Sequence, residues 1–278
     1  MTNRLTGDHG TKGEQLVRSE RTAPGGERSS RLRACRWPIT SGLAALAIAV
    51  PGAAALSPTA AHAAAVPLTH SLPRGLNHAN QIWGGYAVTG AGPYKKITGS
   101  WNIPRMNCSR GNGDASPWIG IDGWNDFTVE QIGIDLDCVN GVASYHPWIE
   151  MYPGPSDYFK ETVHAGDTLT ASVSVSKGTW TLTESDTTSG WTRTFHRHPS
   201  NPLEKASAEA ILEAVGGGAP RVPDFHTVTF SNIKVDGVPL ASAGNLHRTT
   251  LERRTTPLSQ ESPLSMLGES FSITWVHH

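Results

Sequence analysis

The strongest constraint in this sequence is a two-residue rhythm. Residues 168–176 read TLTASVSVS, which puts Leu169, Ala171, Val173 and Val175 on one side of an extended chain and hydroxyl groups on the other. Residues 179–183 (TWTLT), 227–230 (TVTF) and 272–276 (SITWV) repeat the alternation. Further strands are predicted over 86–89, 96–103, 118–122, 129–136 and 144–151, and Asp236-Gly237 after Ile-Lys-Val has the composition of a hairpin turn. One segment, 207–215 (SAEAILEAV), reads as a short helix stopped by three glycines. No alternating strand–helix units and no internal repeat occur. Many short strands with hydroxyl-rich outer faces predict an all-β fold. The expected architecture is a sandwich of two large antiparallel sheets, of concanavalin A-like or jelly-roll type, forming one domain over 81–278.

Charge divides the chain before that domain begins. Residues 1–63 carry 8 Lys/Arg against 4 Asp/Glu, and the remainder carries 15 against 20. A mildly acidic body without basic runs excludes nucleic acid and anionic membrane as main partners. Between Trp37 and Ala61 there is no charged residue, and the small apolar run closes on Ala61-His62-Ala63, an A-x-A cleavage site. This pattern predicts a polar leader plus secretory signal peptide over 1–63, a linker over 64–80, and an extracellular mature chain starting near Ala64. An uncleaved anchor is the alternative. Pro38, Gly42, Pro51 and Gly52 interrupt the run, whereas a span needs about 20 strongly apolar residues. No stable membrane association after cleavage and a monomeric state are expected. Cys35 leaves with the signal, so Cys108 and Cys138 remain as an even pair. Outside the cell a disulfide between them is expected, with two buried thiols as the alternative.

Common catalytic signatures are missing. There is no G-x-S-x-G and no H-E-x-x-H, and Gly268-Glu269-Ser270 lacks the rest of a nucleophile elbow. His196 and His198 have ligand-pair spacing but no further ligand near them in sequence, so solvated strand histidines are the better reading. Neither Asp-Thr-Gly nor Asp-Ser-Gly occurs, which argues against an ordinary aspartic peptidase. What stands out is a polar set among tryptophans: Trp83 with Gly85, Trp118 with Asp122, Gln131, Trp148 with Glu150, and the pair Glu209 and Glu213. On a strand, Trp118, Gly120 and Asp122 share one face, as do Trp148 and Glu150. Such faces make poor core and a good open cleft floor. Outer-face tryptophans packed on a neighbouring loop are the competing explanation.

At these residues the chain resembles the glutamic peptidases, or eqolisins, secreted β-sandwich endopeptidases of fungi with bacterial relatives. The matching blocks run in family order: WGGY at 83–86, GSWNIP at 99–104, WIGIDG at 118–123 and EQIGID at 130–135. WIEMYP at 148–153, AGDTLTASV at 165–173, AEAILE at 208–213 and VPDFHTVTF at 222–230 follow. The resemblance implies that Gln131 and Glu213 form the catalytic pair, with Glu209 as the competing base. It also implies a concave sheet face as the site, with substrate contacts from Trp83, Gly85, Trp118, Asp122, Trp148 and Glu150. Polypeptide substrates, an acidic working pH, and no metal or cofactor are implied as well. One departure stands near the site: Ile82 occupies the position where the family usually has Asn.

The residue chemistry suits that reading. Amide hydrolysis requires a base for water, a donor for the oxyanion and an acid for the leaving amine. A glutamate can take and return the proton, while a glutamine amide donates through its NH₂ and accepts through its C=O. Two other classes remain open from sequence: a lectin-like module stacking sugars on Trp83, Trp118 and Trp148, and a glycosidase using Glu150 with Glu213.

Overall fold

Alternation in the sequence becomes alternation in burial. Over Thr168–Ser176, Leu169, Ala171 and Val173 are buried while Thr170 is exposed, because each second side chain of a strand must leave water while its neighbours stay in it. The computed structural model describes residues 82–124, 126–215 and 221–277. The segments expected to be leader, signal peptide and linker lie outside the described residues. In chain order the strands are β1 (Trp83–Thr89), β2 (Lys96–Asn102), β3 (Gly113–Ile121), β4 (Val129–Val139), β5 (Val142–Tyr152), β6 (Asp157–Tyr158), β7 (Thr168–Ser176), β8 (Thr179–Asp186) and β9 (Trp191–Arg197). They continue as β10 (Ser207–Glu213), β11 (Thr227–Val235), β12 (Val238–Pro239), β13 (Asn245–Thr249), β14 (Glu252–Arg253), β15 (Thr256–Pro257), β16 (Ser259–Glu261) and β17 (Phe271–Trp275). Among the described residues there is no α-helix.

The strands form two large antiparallel sheets, as expected. One has the order β13-β1-β10-β3-β4-β5-β6, the other β16-β17-β11-β2-β7-β8-β9 with β12 beside β11. Their facing sides share one core. Tyr86, Ile119, Ile132 and Leu212 come from the first sheet, and Trp101, Leu169, Leu182 and Phe230 from the second. The outer face of the second sheet is a ladder of hydroxyl pairs, including Thr183 with Thr194, Ser185 with Thr192, and Thr229 with Ser272. His196 and His198 sit at this exposed edge, each hydrogen-bonded to a threonine of β8. The Asp236-Gly237 turn joins β11 to β12 through φ angles of 50° and 87°, the left-handed geometry of a two-residue hairpin.

One element departs from expectation. Residues 207–213 form the strand β10, not a helix. Ala, Glu and Leu favour helix locally, but β10 lies between β1 and β3 and pairs with both. All seven of its residues are buried, and two complete ladders plus burial on both faces outweigh an intrinsic preference of a few tenths of a kcal/mol per residue. The Cys108–Cys138 disulfide is present and ties the short turn before β3 to the end of β4, with Cα atoms 5.3 Å apart.

Candidate active site

Three register rows cross the first sheet on the side away from the shared core. Ala87, Glu209, Gly120, Gln131 and Glu150 face one another in the first row, from β1 to β5. Gly85, Ile211, Trp118, Gly133 and Trp148 make the second, and Trp83, Glu213 and Ser116 begin the third. Gln131 and Glu213 therefore stand in outer rows with Trp118 in the row between. Small residues alternate with large ones for a steric reason. A Cβ at position 120 would come within 3.0 Å of the Trp118 ring and 3.2 Å of the Gln131 Cβ, and one at 133 within 2.5 Å of the Trp118 Cβ. The glycines let the Trp118 indole lie down across the sheet.

That indole does more than fill space. Its Nε1–H donates to Glu213 Oε2 at 3.0 Å, which fixes the carboxylate's orientation. Trp148 Nε1–H donates to Ser116 Oγ at 3.0 Å, and that hydroxyl donates to the Ile134 carbonyl. Gln131 is held from the other side: its Nε2 donates to Glu150 Oε2 at 2.6 Å, while Ser156 Oγ donates to Glu150 Oε1 at 3.2 Å. On this face Gln131 Oε1 and Trp83 Nε1 are buried without a partner among the described residues, as are both oxygens of Glu209. Nearly all buried polar groups in proteins are satisfied, so an orphan acceptor and an orphan donor on one face mark where an outside molecule completes the set.

The face is more closed than a cleft floor. Trp118 and Trp148 are 0% exposed, Gln131 2% and Glu213 1%. Trp83 meets Trp118 edge-on with centroids 5.0 Å apart, and Trp124, Ile82, Tyr152 and Tyr158 pack over the layer. The packing explanation of the tryptophans is therefore correct for the rings, while the polar groups between them remain unexplained by packing. Two residues expected at the substrate have structural roles in the scaffold. β3 ends at Ile121, and Asp122 turns off it at φ 70° to accept the backbone N–H groups of Lys205 at 2.7 Å and Ala206 at 2.5 Å. Gly85 has φ 137°, and a Cβ there would meet the Ala210 carbonyl at 2.4 Å. Close approach of β1 to β10 requires that glycine. Ile82, in place of the family Asn, accepts the Ala214 N–H through its carbonyl and adds an apolar side chain to both clusters.

Electrostatics separates the two glutamates of β10. Glu209 is fully buried, and neither oxygen makes a well-aligned hydrogen bond. Burial pushes its carboxyl well above the usual range; the Ser207 side chain opposes this, and the Asp122, Asp126 and Glu130 charges add to it. A carboxyl held neutral cannot take a proton from water, so Glu209 is unsuited to the base role. Sequence reasoning missed Ser116, Ser156 and Glu130. Ser116 lies two residues before Trp118 on the same face, and strand alternation alone would have found it. Ser156 reaches Glu150 from the connection after β5, for which no local signal exists.

This β-sandwich, with a glutamine and a glutamate among buried tryptophans on one sheet, has the fold of known glutamic peptidases, the class of peptide-bond hydrolase to which the family match below assigns it. Solved structures match it: scytalido-glutamic peptidase bound to a transition-state analogue inhibitor at 23% identity and a TM-score of 0.59, covering 70% of this chain and 98% of that one. Aspergilloglutamic peptidase from Aspergillus niger matches at 28% identity and a TM-score of 0.50, covering 59% and 99%. No curated protein sequence matches the chain. The model of the peptidase A4 family matches residues 81–259, and the chain belongs to that family.

Proposed function

We propose that the protein is a secreted endopeptidase that works at acidic pH through Glu213 and Gln131. Glu213 takes a proton from water as the water attacks the substrate carbonyl, then delivers it to the departing amine. Gln131 keeps one N–H on Glu150 and has a second for the oxyanion, while its carbonyl orients the attacking water. No bond between enzyme and substrate forms, so no serine or cysteine nucleophile is needed. The observation that carries the reading is the half-satisfied amide: Gln131 Nε2 is clamped at 2.6 Å and Oε1 is buried without a partner. Acidic operation suits a carboxylate base, since an ordinary glutamate is partly ionised near pH 4, where a histidine is protonated.

Replacing Glu213 with Gln tests the mechanism. Shape and the Trp118 hydrogen bond are retained and the proton acceptor is lost, so cleavage of a denatured protein at pH 3–5 is expected to vanish while the circular dichroism spectrum is unchanged. Near-wild-type cleavage would sink the assignment. Secretion is tested separately: protein recovered from the medium is expected to begin within a few residues of Ala64, and Met1 still attached there would refute it.

A further inference from the structure

Positive charge is scarce in the folded part of this chain, and half of its lysines meet in one place. A cavity of about 570 Å³ is lined by Lys95, Lys177 and Lys205, three of the six lysines beyond residue 63. That part of the chain is acidic overall, with 15 Lys/Arg against 20 Asp/Glu, yet no acidic residue lines this space. Asp236 accepts the backbone N–H of Lys95 and Asp122 that of Lys205, and Glu204 precedes Lys205 in the chain. All three of these acids lie outside the lining. Among the described residues no ion pair joins any of the three ammonium groups to a carboxylate, although Lys205 Nζ donates to the Leu203 carbonyl. Like charges gathered without a counter-charge cost the fold energy, and an anion placed among them removes that cost.

The lysines converge because their segments are bonded to one another through the backbone. The Val175 N–H, two residues before Lys177, donates to the Lys95 carbonyl at 2.9 Å, and the Tyr94 N–H, one residue before Lys95, donates to the Lys205 carbonyl at 2.9 Å. Two of the three also hold a backbone conformation that disfavours lysine. Lys177 has φ 50° as the first residue of the two-residue turn between β7 and β8, and Lys205 has φ 57° shortly before β10. Asn or Gly is the ordinary choice at the first position of such a turn. Lysine there sacrifices some stability and supplies a cation.

We propose that this cavity is a binding site for a small organic phosphate or sulfate monoester. Such an ester offers three terminal acceptor oxygens to three ammonium groups that come from three separate segments of the chain. Lysine is a compact point charge suited to phosphate, whereas a planar two-oxygen carboxylate is best matched by the fork of an arginine, and no arginine lines the cavity. The volume lies within the range of about 300–1,000 Å³ found for small-molecule sites, which leaves room for an organic part beside the anion. Val175 and Leu203 supply apolar wall for that part, and Ser200 and Asn201 supply hydrogen-bonding groups. Neither Gln131 nor Glu213 lines the cavity, so binding there requires no peptide cleavage.

Isothermal titration calorimetry of the protein at pH 5 and low salt tests this, with glucose 6-phosphate, glucose 6-sulfate, glucose and glucuronate as probes. Both esters are expected to bind at least about tenfold more tightly than glucose or glucuronate, the factor that a charge-assisted hydrogen bond supplies. Lys205→Gln and Lys177→Asn are each expected to weaken the esters about tenfold or more. Lys177→Asn is also expected to raise the thermal midpoint of the unliganded protein, because Asn suits the turn better. Stability and affinity then move in opposite directions, which a damaged fold does not produce. Binding of neither ester, glucuronate bound as tightly as the esters, or ester affinity that survives both substitutions would each overturn the proposal. Binding is read without any cleavage, so the result is independent of the peptidase reading.

Discussion

A single indole carries much of the proposed site. Trp118 lies across Gly120, and its N–H holds the Glu213 carboxylate. Replacing it with Phe keeps an aromatic ring over the glycine and removes only the donor. A hydrogen bond to a charged group is worth about 1.5–3 kcal/mol, so kcat is expected to fall about 10- to 100-fold, with a smaller loss of stability from the smaller ring. Kinetics and thermal midpoints measured on the same preparations decide it, and an unchanged kcat would mean that Trp118 only fills space. Trp83 offers a parallel experiment, because its buried N–H has no partner and its register neighbour is Glu213. Exchanging Trp83 for its benzothienyl analogue, in which sulfur replaces N–H, is expected to weaken a tetrahedral transition-state analogue more than a substrate-like peptide. Equal weakening of both would assign Trp83 to packing. Most of these side chains could be found from the sequence because their types are rare and their order is specific. Ser116 could have been placed on the Trp118 face by alternation, whereas Ser156 could not be singled out, since a loop serine acquires a role only through the partner that tertiary structure brings to it. Glu130 was invisible for the opposite reason: alternation from Gln131 turns it inward, where a carboxyl is not expected.

At the scale of elements, the strands could be read wherever one face meets water, and β10 could not. Alternation marks β7, β8 and β11 because their outer faces are hydroxyl-rich. In β10 every residue is buried, so period two vanishes from its burial and local propensity points to helix. The same crowding makes the central glycines exacting. Gly120→Ala is expected to displace the Trp118 ring or the Gln131 side chain, destabilising the protein by about 1–3 kcal/mol and reducing turnover more than Trp118→Phe does. The disulfide closes a loop of 30 residues between the turn before β3 and the end of β4. Cys108→Ser with Cys138→Ser is expected to lower stability by about 3–4 kcal/mol on the chain-entropy account, read as a drop in urea midpoint at unchanged slope. Full retention of the midpoint would show that the paired strands hold this segment without the cross-link.

Taken as a whole, the molecule is loaded with buried acids, and this determines how its stability must depend on pH. Burial raises Glu130 to about 9 and Asp122 to about 6, and it raises Glu209 well above the usual range. A fourth acid lies far from the site in sequence. Glu184 points inward from β8 in line with Trp180 and Leu182, 0% exposed and with neither oxygen bonded. Burial, and then the Asp186 charge, push it well above the usual carboxylate range. A group whose folded value is raised binds its proton more tightly in the native state than in the unfolded chain. Its stabilising effect is therefore complete below the unfolded value, near 4, and is lost as pH rises toward the folded one. Each such acid tilts stability downward by up to about 1.4 kcal/mol per pH unit across that window. The protein is expected to be most stable at pH 4 or below and to weaken steadily toward pH 8, the opposite of a protein held together by ionised carboxylates. Glu184→Gln isolates the effect, because Glu184 touches nothing in the proposed site and a carboxamide cannot ionise. Urea unfolding at pH 4 and pH 8 is expected to show that the variant loses less stability between the two than the native protein does. Equal losses in both proteins would mean that Glu184 is not protonated in the core.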